Sequence, residues 1–462
     1  MSETQGQPEN SEYQPMNRQR VFGLAVPIIG EQVLQTMVVA VDTLLVARLS
    51  KEAVAGVGTA VEFIYFIIAI LVALEIGATV LIAQAFGSRN HARVAHLARQ
   101  SFSWGLALAV PVSIAGYLAA PGIIGLFGLE PQVAEHATTY LQISAATSVF
   151  LLLRFIGGAV FRGRGDSRTP LLVAVAANIV NVFAAYALIF GKFGMPELGV
   201  AGSAWGSALA RASSAAILIG LLFAGNRGIS IRSAASWKPQ FATGRALFRL
   251  GLPASLEQIV ASAGFVTMLA VVALIGTSAL AAQQIAFTAL AIAFMPGFGF
   301  GLAATALIGQ SVGANRLDDA AIASRITKHW AVIWMSFGGV AYFIFAPQIM
   351  SLFPGDSDVP HAGINGLRAL AIGLPVWAVW SVYGGSLRGI GDTITPLITN
   401  GGSVWASVLL AFILVKFFDG GLGTVWLTFF VTALFGAAFN RYRYWSRVRS
   451  GRIRPADAVA SL

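Results

Sequence analysis

A nine-residue segment, Arg162-Gly163-Arg164-Gly165-Asp166-Ser167-Arg168-Thr169-Pro170, returns 226 residues later as Arg388-Gly389-Ile390-Gly391-Asp392-Thr393-Ile394-Thr395-Pro396. The same offset pairs Pro27 with Pro253, Glu31 with Glu257 and Gln32 with Gln258. It also pairs Thr79, Leu81, Ile82, Gln84 and Gly87 with Thr305, Leu307, Ile308, Gln310 and Gly313. A chain in which one offset holds over such a length is a duplicated unit. Whatever fold the first copy takes the second must share, and each supplies a surface for the other.

The unit is apolar. The chain is 56% hydrophobic and 11% charged, with a mean hydropathy of +0.75, where a soluble domain carries about 25% charge. Fifty glycines suit helices that pack closely in a bilayer. Twelve segments have the roughly 20 apolar residues that a spanning helix needs: 21–46, 55–83, 94–118, 135–160, 169–191, 199–224, 247–273, 279–311, 328–350, 363–386, 395–416 and 422–445. The expected fold class is therefore an all-α integral membrane protein of 12 transmembrane helices. The expected organisation is an N-terminal tail (1–20), a six-helix bundle (21–224), a linker (225–246), a second bundle (247–445) and a C-terminal tail (446–462). The polar segment Met1–Gln19 lacks the apolar core of a cleavable signal.

Lysine and arginine set the direction. With the N-terminus inside, only Arg48, Lys51, Lys192 and Lys416 fall in outer loops, and Arg154, Arg211 and Arg368 fall within spans. Both termini and the linker are then cytoplasmic, and the loop arginines read chiefly as topology. Six spans per repeat make the copies enter the membrane in the same direction. The bundles are thus expected to be parallel, related by a pseudo-two-fold axis along the membrane normal, with a central cleft that opens alternately to each side.

Several function classes are excluded. The net charge of +10 is spread over short loops, without a basic stripe interleaved with stacking aromatics, so no nucleic-acid partner is expected. No cysteine is present, which removes disulfide and thiol chemistry. The chain lacks a phosphate-binding Gly-rich loop followed by Lys-Ser/Thr and a metal spacing among its five histidines, so neither ATP hydrolysis nor a cofactor nor a catalytic residue is expected. The run Gly297-Phe298-Gly299-Phe300-Gly301 lies inside a span and reads as close helix packing.

Five carboxylates fall inside spans: Glu31, Asp42, Glu62, Glu75 and Glu257. A charge there is costly and marks a functional site by default. Glu31 and Asp42 are three turns apart on one face, about 16 Å in depth, with Gln35 between them. The repeat places Glu257 opposite Glu31 but Met268 opposite Asp42. The unmatched carboxylate points to the N-terminal bundle as the seat of the coupling ion, H⁺ or Na⁺. Asn178, Asn181, Ser203 and Ser207 are neutral groups able to complete a shell around Asp42, or equally to join helices. Glu257, Glu62, Glu75, Tyr65, Gln283 and Gln284 are candidates for the substrate cleft, as are Phe63, Phe66, Phe287, Phe294, Met295 and Trp377. Pro27 and Pro253, near the inner ends of their helices, are either tolerated helix-start prolines or hinges.

The chain resembles the multidrug and toxic compound extrusion (MATE) family over about residues 21–445. The resemblance is carried by Val41-Asp42-Thr43, Arg162-Gly163 through Pro170, the stretch Gly191 through Gly202, Ala282-Gln283-Gln284-Ile285-Ala286 and Gly309-Gln310-Ser311-Val312-Gly313-Ala314. It implies secondary antiport, in which organic cations leave as H⁺ or Na⁺ enters, by a monomer in the cytoplasmic membrane. Asp42 matches the family's helix 1 acid, Asn181 the helix 5 asparagine of the DinF-type branch, Ser207 a frequent threonine of that branch, and Pro27 the proline of the helix 1 bend. Ala185 replaces that branch's second helix 5 acid, and Ala261 the helix 7 acid of the NorM-type branch; Glu257 lies one turn before it. Ala47 and Ser50 replace family glycines. The resemblance is thus closer to the DinF-type branch, and it favours proton coupling over a two-carboxylate Na⁺ site. The competing readings are a lipid-linked sugar or lipid-precursor flippase and a non-transporting membrane scaffold or sensor.

Overall fold

The computed structural model describes residues 16–225, 230–232, 237–351, 358–451 and 453. Every regular element among them is a helix: α1 (Arg18–Val46), α2 (Lys51–Gly87), α3 (His91–Gly125), α4 (Pro131–Ala146), α5 (Ser148–Gly163), α6 (Arg168–Phe190), α7 (Val200–Ala224), α8 (Phe241–Ala273), α9 (Thr277–Gly313), α10 (Leu317–Ser351), α11 (Asp358–Gly389), α12 (Ile394–Phe418) and α13 (Leu422–Ser450). Side-chain oxygens start several of them. Asn17, Ser50 and Asn90 accept the Arg20, Ala53 and Arg93 amide protons at 2.8, 3.0 and 2.9 Å. Left-handed Gly191 and Gly225 end α6 and α7.

The twelve expected spans are present, with one correction. The fourth, expected as a single helix over 135–160, is broken at Thr147 into α4 and α5, which meet at 47°. The break contains neither glycine nor proline. The Thr147 hydroxyl instead donates to the Ile143 carbonyl at 2.7 Å, the kind of back-bonding that bends helices. Ser148 is held across to Ser113 at 2.8 Å. Helices also run past three of the four expected bundle limits: α1 begins at Arg18, α8 at Phe241 inside the expected linker, and α13 ends at Ser450. Polar and basic residues at these ends let the helix continue beyond its apolar stretch.

The duplication is visible in the packing. Helix α1 packs on α6 and on α9 of the other half, and α8 packs on α12 and on α2. The α2–α9 contact joins the two copies. The tightest contacts between halves lie toward the end that carries the two repeated Arg-Gly loops, hereafter the RG face. There Gly87 lies against the Gln310 backbone and Gly313 against the Gln84 backbone, so a side chain at either glycine would strike the opposing helix. Gly251 meets Ala73, Gly77 meets Leu247 and Gly299 meets Ile29 in the same manner. Gly297, Gly299 and Gly301 are each in close contact with another helix, as their sequence run suggested.

Two glutamines complete this closure. The Gln84 amide donates to the Gly389 carbonyl at 3.1 Å, and the Gln310 amide donates to the Gly163 carbonyl at 2.8 Å. Each copy thus caps the end of the other's Arg-Gly helix. Arg20 adds a bond to Gln310 Oε1 at 2.9 Å.

Candidate functional site

Asp42 is buried near the far end of α1 and meets residues from three other helices. Its Oδ2 accepts the Ser207 hydroxyl of α7 at 2.8 Å. Ser207 in turn accepts the amide of Asn181, on α6, at 3.2 Å. Tyr140 of α4 brings its hydroxyl beside Ser203 and Ser207, and Arg211 lies within electrostatic reach of Asp42. At this site three buried oxygens, Asp42 Oδ1, Asn181 Oδ1 and Ser203 Oγ, have no hydrogen-bond partner among the described residues. Unpaired buried oxygens cost about 1–3 kcal/mol each, and a proton or a cation placed among them would relieve that cost. The set offers such a guest one carboxylate and several neutral oxygens, with the Arg211 charge nearby. The second half has no equivalent: Met268 is fully buried at the position matching Asp42. Ser407, matching Asn181, is hydrogen-bonded to Thr428 at 2.8 Å.

The other acids of the expected ion site go elsewhere. Glu31 accepts Arg162 Nη1 at 3.0 Å, and Arg162 Nη2 reaches Glu75 at 2.5 Å. In the second half, Arg388 Nη2 bonds both oxygens of Glu257 at 2.6 and 2.7 Å. Asn400 adds a third bond to Glu257 at 2.6 Å, and is itself held by Asn440 at 3.1 Å. These are one device built twice, since Glu31 and Glu257, like Arg162 and Arg388, are equivalent repeat positions. Gly158, one turn before Arg162, leaves space for its guanidinium to fold back over the helix. Arg162 and Arg388 are therefore not mere topology markers. The sequence held a signal for this, since opposite charges were repeated at one common offset.

The polar stripe of α1 thus divides. Glu31 belongs to the Arg162 cluster, Gln35 is exposed, and only Asp42 joins Asn181 and Ser207. Asn178 ties helices together, its amide donating to the Leu34 carbonyl at 3.1 Å. Among the cleft candidates, Glu75 and Glu257 are locked in ion pairs. Glu62, Tyr65 and Gln284 are exposed. Gln283 is buried with both amide atoms unpartnered. Phe287 and Trp377 both contact Trp426, and Phe294 contacts Trp377, so these four rings form an aromatic cluster inside the second bundle. Tyr140 and Arg211 were not singled out in the sequence; neither has a spacing signature, and both reach Asp42 only through the fold.

The repeated loops are built alike. Gly165 and Gly391 have φ of 88° and 87°, values that favour glycine at both positions. Asp166 accepts the Thr169 amide at 3.1 Å and hydroxyl at 2.8 Å; Asp392 does the same for Thr395 at 3.0 and 2.9 Å. Burial acts to raise the Asp166 carboxyl, but the Thr169 groups and the Arg164 guanidinium outweigh it and hold the carboxyl below its usual range. Pro27 lies within the continuous α1 and cannot bond the Gly23 carbonyl. The Ser167 hydroxyl donates there at 3.3 Å and to the Leu24 carbonyl at 2.8 Å, tying the loop to α1 beside the proline. Pro253 lies likewise inside α8.

Two parallel six-helix units, closed at one end by glycine contacts and carrying a polar carboxylate site in one unit only, define a membrane transport protein. The chain belongs to the MatE family, a transporter family and not an enzyme family: the family model matches twice, over residues 27–187 and 253–413, with the repeat's own offset. It is 31% identical to the probable multidrug resistance protein NorM of Thermotoga maritima, covering 91% of this chain and 90% of that one. It is 25% identical to the probable multidrug resistance protein YoeA of Bacillus subtilis, covering 87% and 88%. Among solved structures, a MOP superfamily transporter from Pyrococcus furiosus has a TM-score of 0.88 at 22% identity, with 94% and 96% of the chains covered. At that identity the likeness concerns the fold.

Proposed function

We propose that the chain is a secondary active multidrug exporter that exchanges organic cations for H⁺, with Asp42 as the coupling residue. The observation that carries the reading is the Asp42 site: a buried carboxylate, present in one half only, whose Oδ1 and two neighbouring oxygens, of Asn181 and Ser203, have no hydrogen-bond partner among the described residues. Family membership and the printed names of its relatives support multidrug efflux. The flippase reading is not favoured by these relatives.

Lysine and arginine placement supports a cytoplasmic RG face and cytoplasmic termini in the plasma membrane. On that orientation the structure is closed to the cytoplasm, and the cleft faces outward. In this state Asp42 exchanges its ion with the outside. Occupation of Asp42 alters α1, and the tie from Ser167 beside Pro27 makes that region the bend. The exchange is coupled only if ion and drug favour different states, since equal affinity for both states shifts nothing.

With Ala185, one turn beyond Asn181, in place of a second acid, the single carboxylate Asp42 supports a proton over a two-carboxylate Na⁺ site, and Asn181 and Ser207 support a likeness to the DinF-type branch. The relatives compared carry the name NorM, so this assignment rests on the residues. Glu62 and Tyr65, exposed and one turn apart, are the candidates for attracting a flat cation by charge and ring face. The protein acts as a monomer, each chain containing both bundles.

The test is export of a fluorescent organic cation from proteoliposomes under an imposed pH gradient and, separately, an imposed Na⁺ gradient. The reading expects pH-driven export. Export driven by Na⁺ alone overturns the choice of ion, and absence of export under either gradient overturns the function.

A further inference from the structure

A cavity of about 850 Å³ lies at the RG end of the second bundle, between α10, α11 and α13. Its lining includes Arg325, Lys328, Arg441 and Arg449, and no carboxylate. Among the described residues none of the four is ion-paired with an acid. The cavity has a fixed aromatic wall. Arg325 lies over the Trp445 ring at 5.0 Å, and the Trp445 indole donates to the Tyr383 hydroxyl at 3.1 Å.

The first bundle treats the equivalent place differently. By the repeat, Arg325, Lys328 and Tyr383 correspond to Arg99, Phe102 and Gly157. Arg99 is buried. The linker runs over α3 and α7 there: Gln100 donates to the Lys238 carbonyl at 2.9 Å, Ser103 to the Trp237 carbonyl at 2.7 Å, and Trp237 stacks on Phe223. One copy of this groove is covered by the chain itself. The other is basic and, among the described residues, uncovered.

The depth of the cavity matters too. Arg325 and Lys328 sit where the apolar stretch of α10 begins, and Arg441 to Arg449 where that of α13 ends. This is the level of lipid headgroups. Phe435 and Phe439, deeper on α13, and Tyr442 at the cavity itself recur at helical spacing, each at least half exposed, as for a face against acyl chains.

We propose that this cavity binds the headgroup of an anionic phospholipid, its phosphate held by Arg441 and Arg449 with Arg325 and Lys328, and its chains lying along the Phe435–Phe439–Tyr442 face. Basic pockets between transmembrane helices are suited to such headgroups, and each nearby arginine strengthens binding about fivefold.

The test uses the full-length protein, delipidated in an uncharged detergent, with lipid retention read by native mass spectrometry. The probes are phosphatidylglycerol, phosphatidylcholine and inorganic phosphate. One phosphatidylglycerol is expected to be retained at least tenfold better than phosphatidylcholine, and inorganic phosphate at equal concentration is expected not to displace it. Arg441→Gln with Arg449→Gln is expected to weaken retention roughly 30-fold, from two charges at the same increment. Arg89→Gln with Arg245→Gln removes equal charge from the same face outside the cavity and is expected to change it less than twofold. If the pair fails to fold, Arg441→Gln alone carries the test at about fivefold. Equal retention of both lipids, equal loss in the control pair, or displacement by inorganic phosphate each overturns the proposal.

Discussion

Replacing Gln84 and Gln310 together with alanine is expected to open the RG face. Both side chains are 1% exposed, and each amide supplies a bond to the carbonyl that ends the other copy's Arg-Gly helix, at 3.1 and 2.8 Å. Losing one such bond leaves a buried acceptor unmet, at about 1–3 kcal/mol. The pair therefore weakens the closed state by about 2–6 kcal/mol, with the lower figure applying if water enters and satisfies the carbonyls. At about 1.4 kcal/mol per tenfold, the middle of that range shifts the equilibrium by roughly three orders of magnitude. The glycine contacts Gly87–Gln310 and Gly313–Gln84 remain, because they are made to backbone that alanine retains. The chain contains no cysteine, so spin labels at Ser88→Cys and Ala314→Cys, equivalent positions at the ends of α2 and α9, report this face directly. Electron-electron resonance is expected to show one short distance in the parent and a longer, populated distance in the double alanine variant. An unchanged distribution in a folded variant refutes the idea that these glutamines hold the face shut.

Three further outcomes follow from the geometry. Arg388→Met and Glu257→Gln should each destabilise the protein by about 3–5 kcal/mol, because each strands a buried partner, while the double variant should cost less than the sum of the two; tryptophan fluorescence on unfolding reads the cycle, and additive costs would contradict the pairing. Gly87→Leu should insert normally yet fail in gradient-driven export, because its side chain meets the Gln310 backbone and prevents closure; wild-type export rates would show that the close approach is dispensable. Asp166→Asn should cost about 1 kcal/mol near neutral pH, as for a lost helix cap. The folded Asp166 carboxyl is held low, so its contribution is complete above the unfolded pKa of about 4 and fades as pH falls through the folded value. The gap in stability between parent and variant should therefore shrink below about pH 4; a gap that widens on acidification would reverse the sign.

The helices were legible because twenty apolar residues are an unambiguous local signal, and the duplication because an offset needs no structure. The broken fourth span was not legible, since the break at Thr147 carries neither a glycine nor a proline. Asp42, Asn181 and Ser207 could be chosen as polar groups in apolar helices, and the fold does gather them. Glu31 and Gln35 share their helix face with Asp42 but not its site, because face says nothing of depth, and Arg162 meets Glu31 three turns away. That ion pair spans 131 residues in both copies, beyond the range of any helical spacing rule. The repeat thus has two outcomes. What recurs, Gln84 with Gln310 and Glu31–Arg162 with Glu257–Arg388, builds the closed end and its braces. What fails to recur, Asp42 against Met268, is the residue proposed for the ion site.

The central claim is tested most directly with Asp42→Asn beside the parent in proteoliposomes, measuring export of a fluorescent organic cation under an imposed pH gradient, with insertion and cation binding measured on the same preparations. The account predicts normal insertion, retained binding and loss of gradient-driven export. Export at the parental rate by a variant without the carboxylate would contradict it.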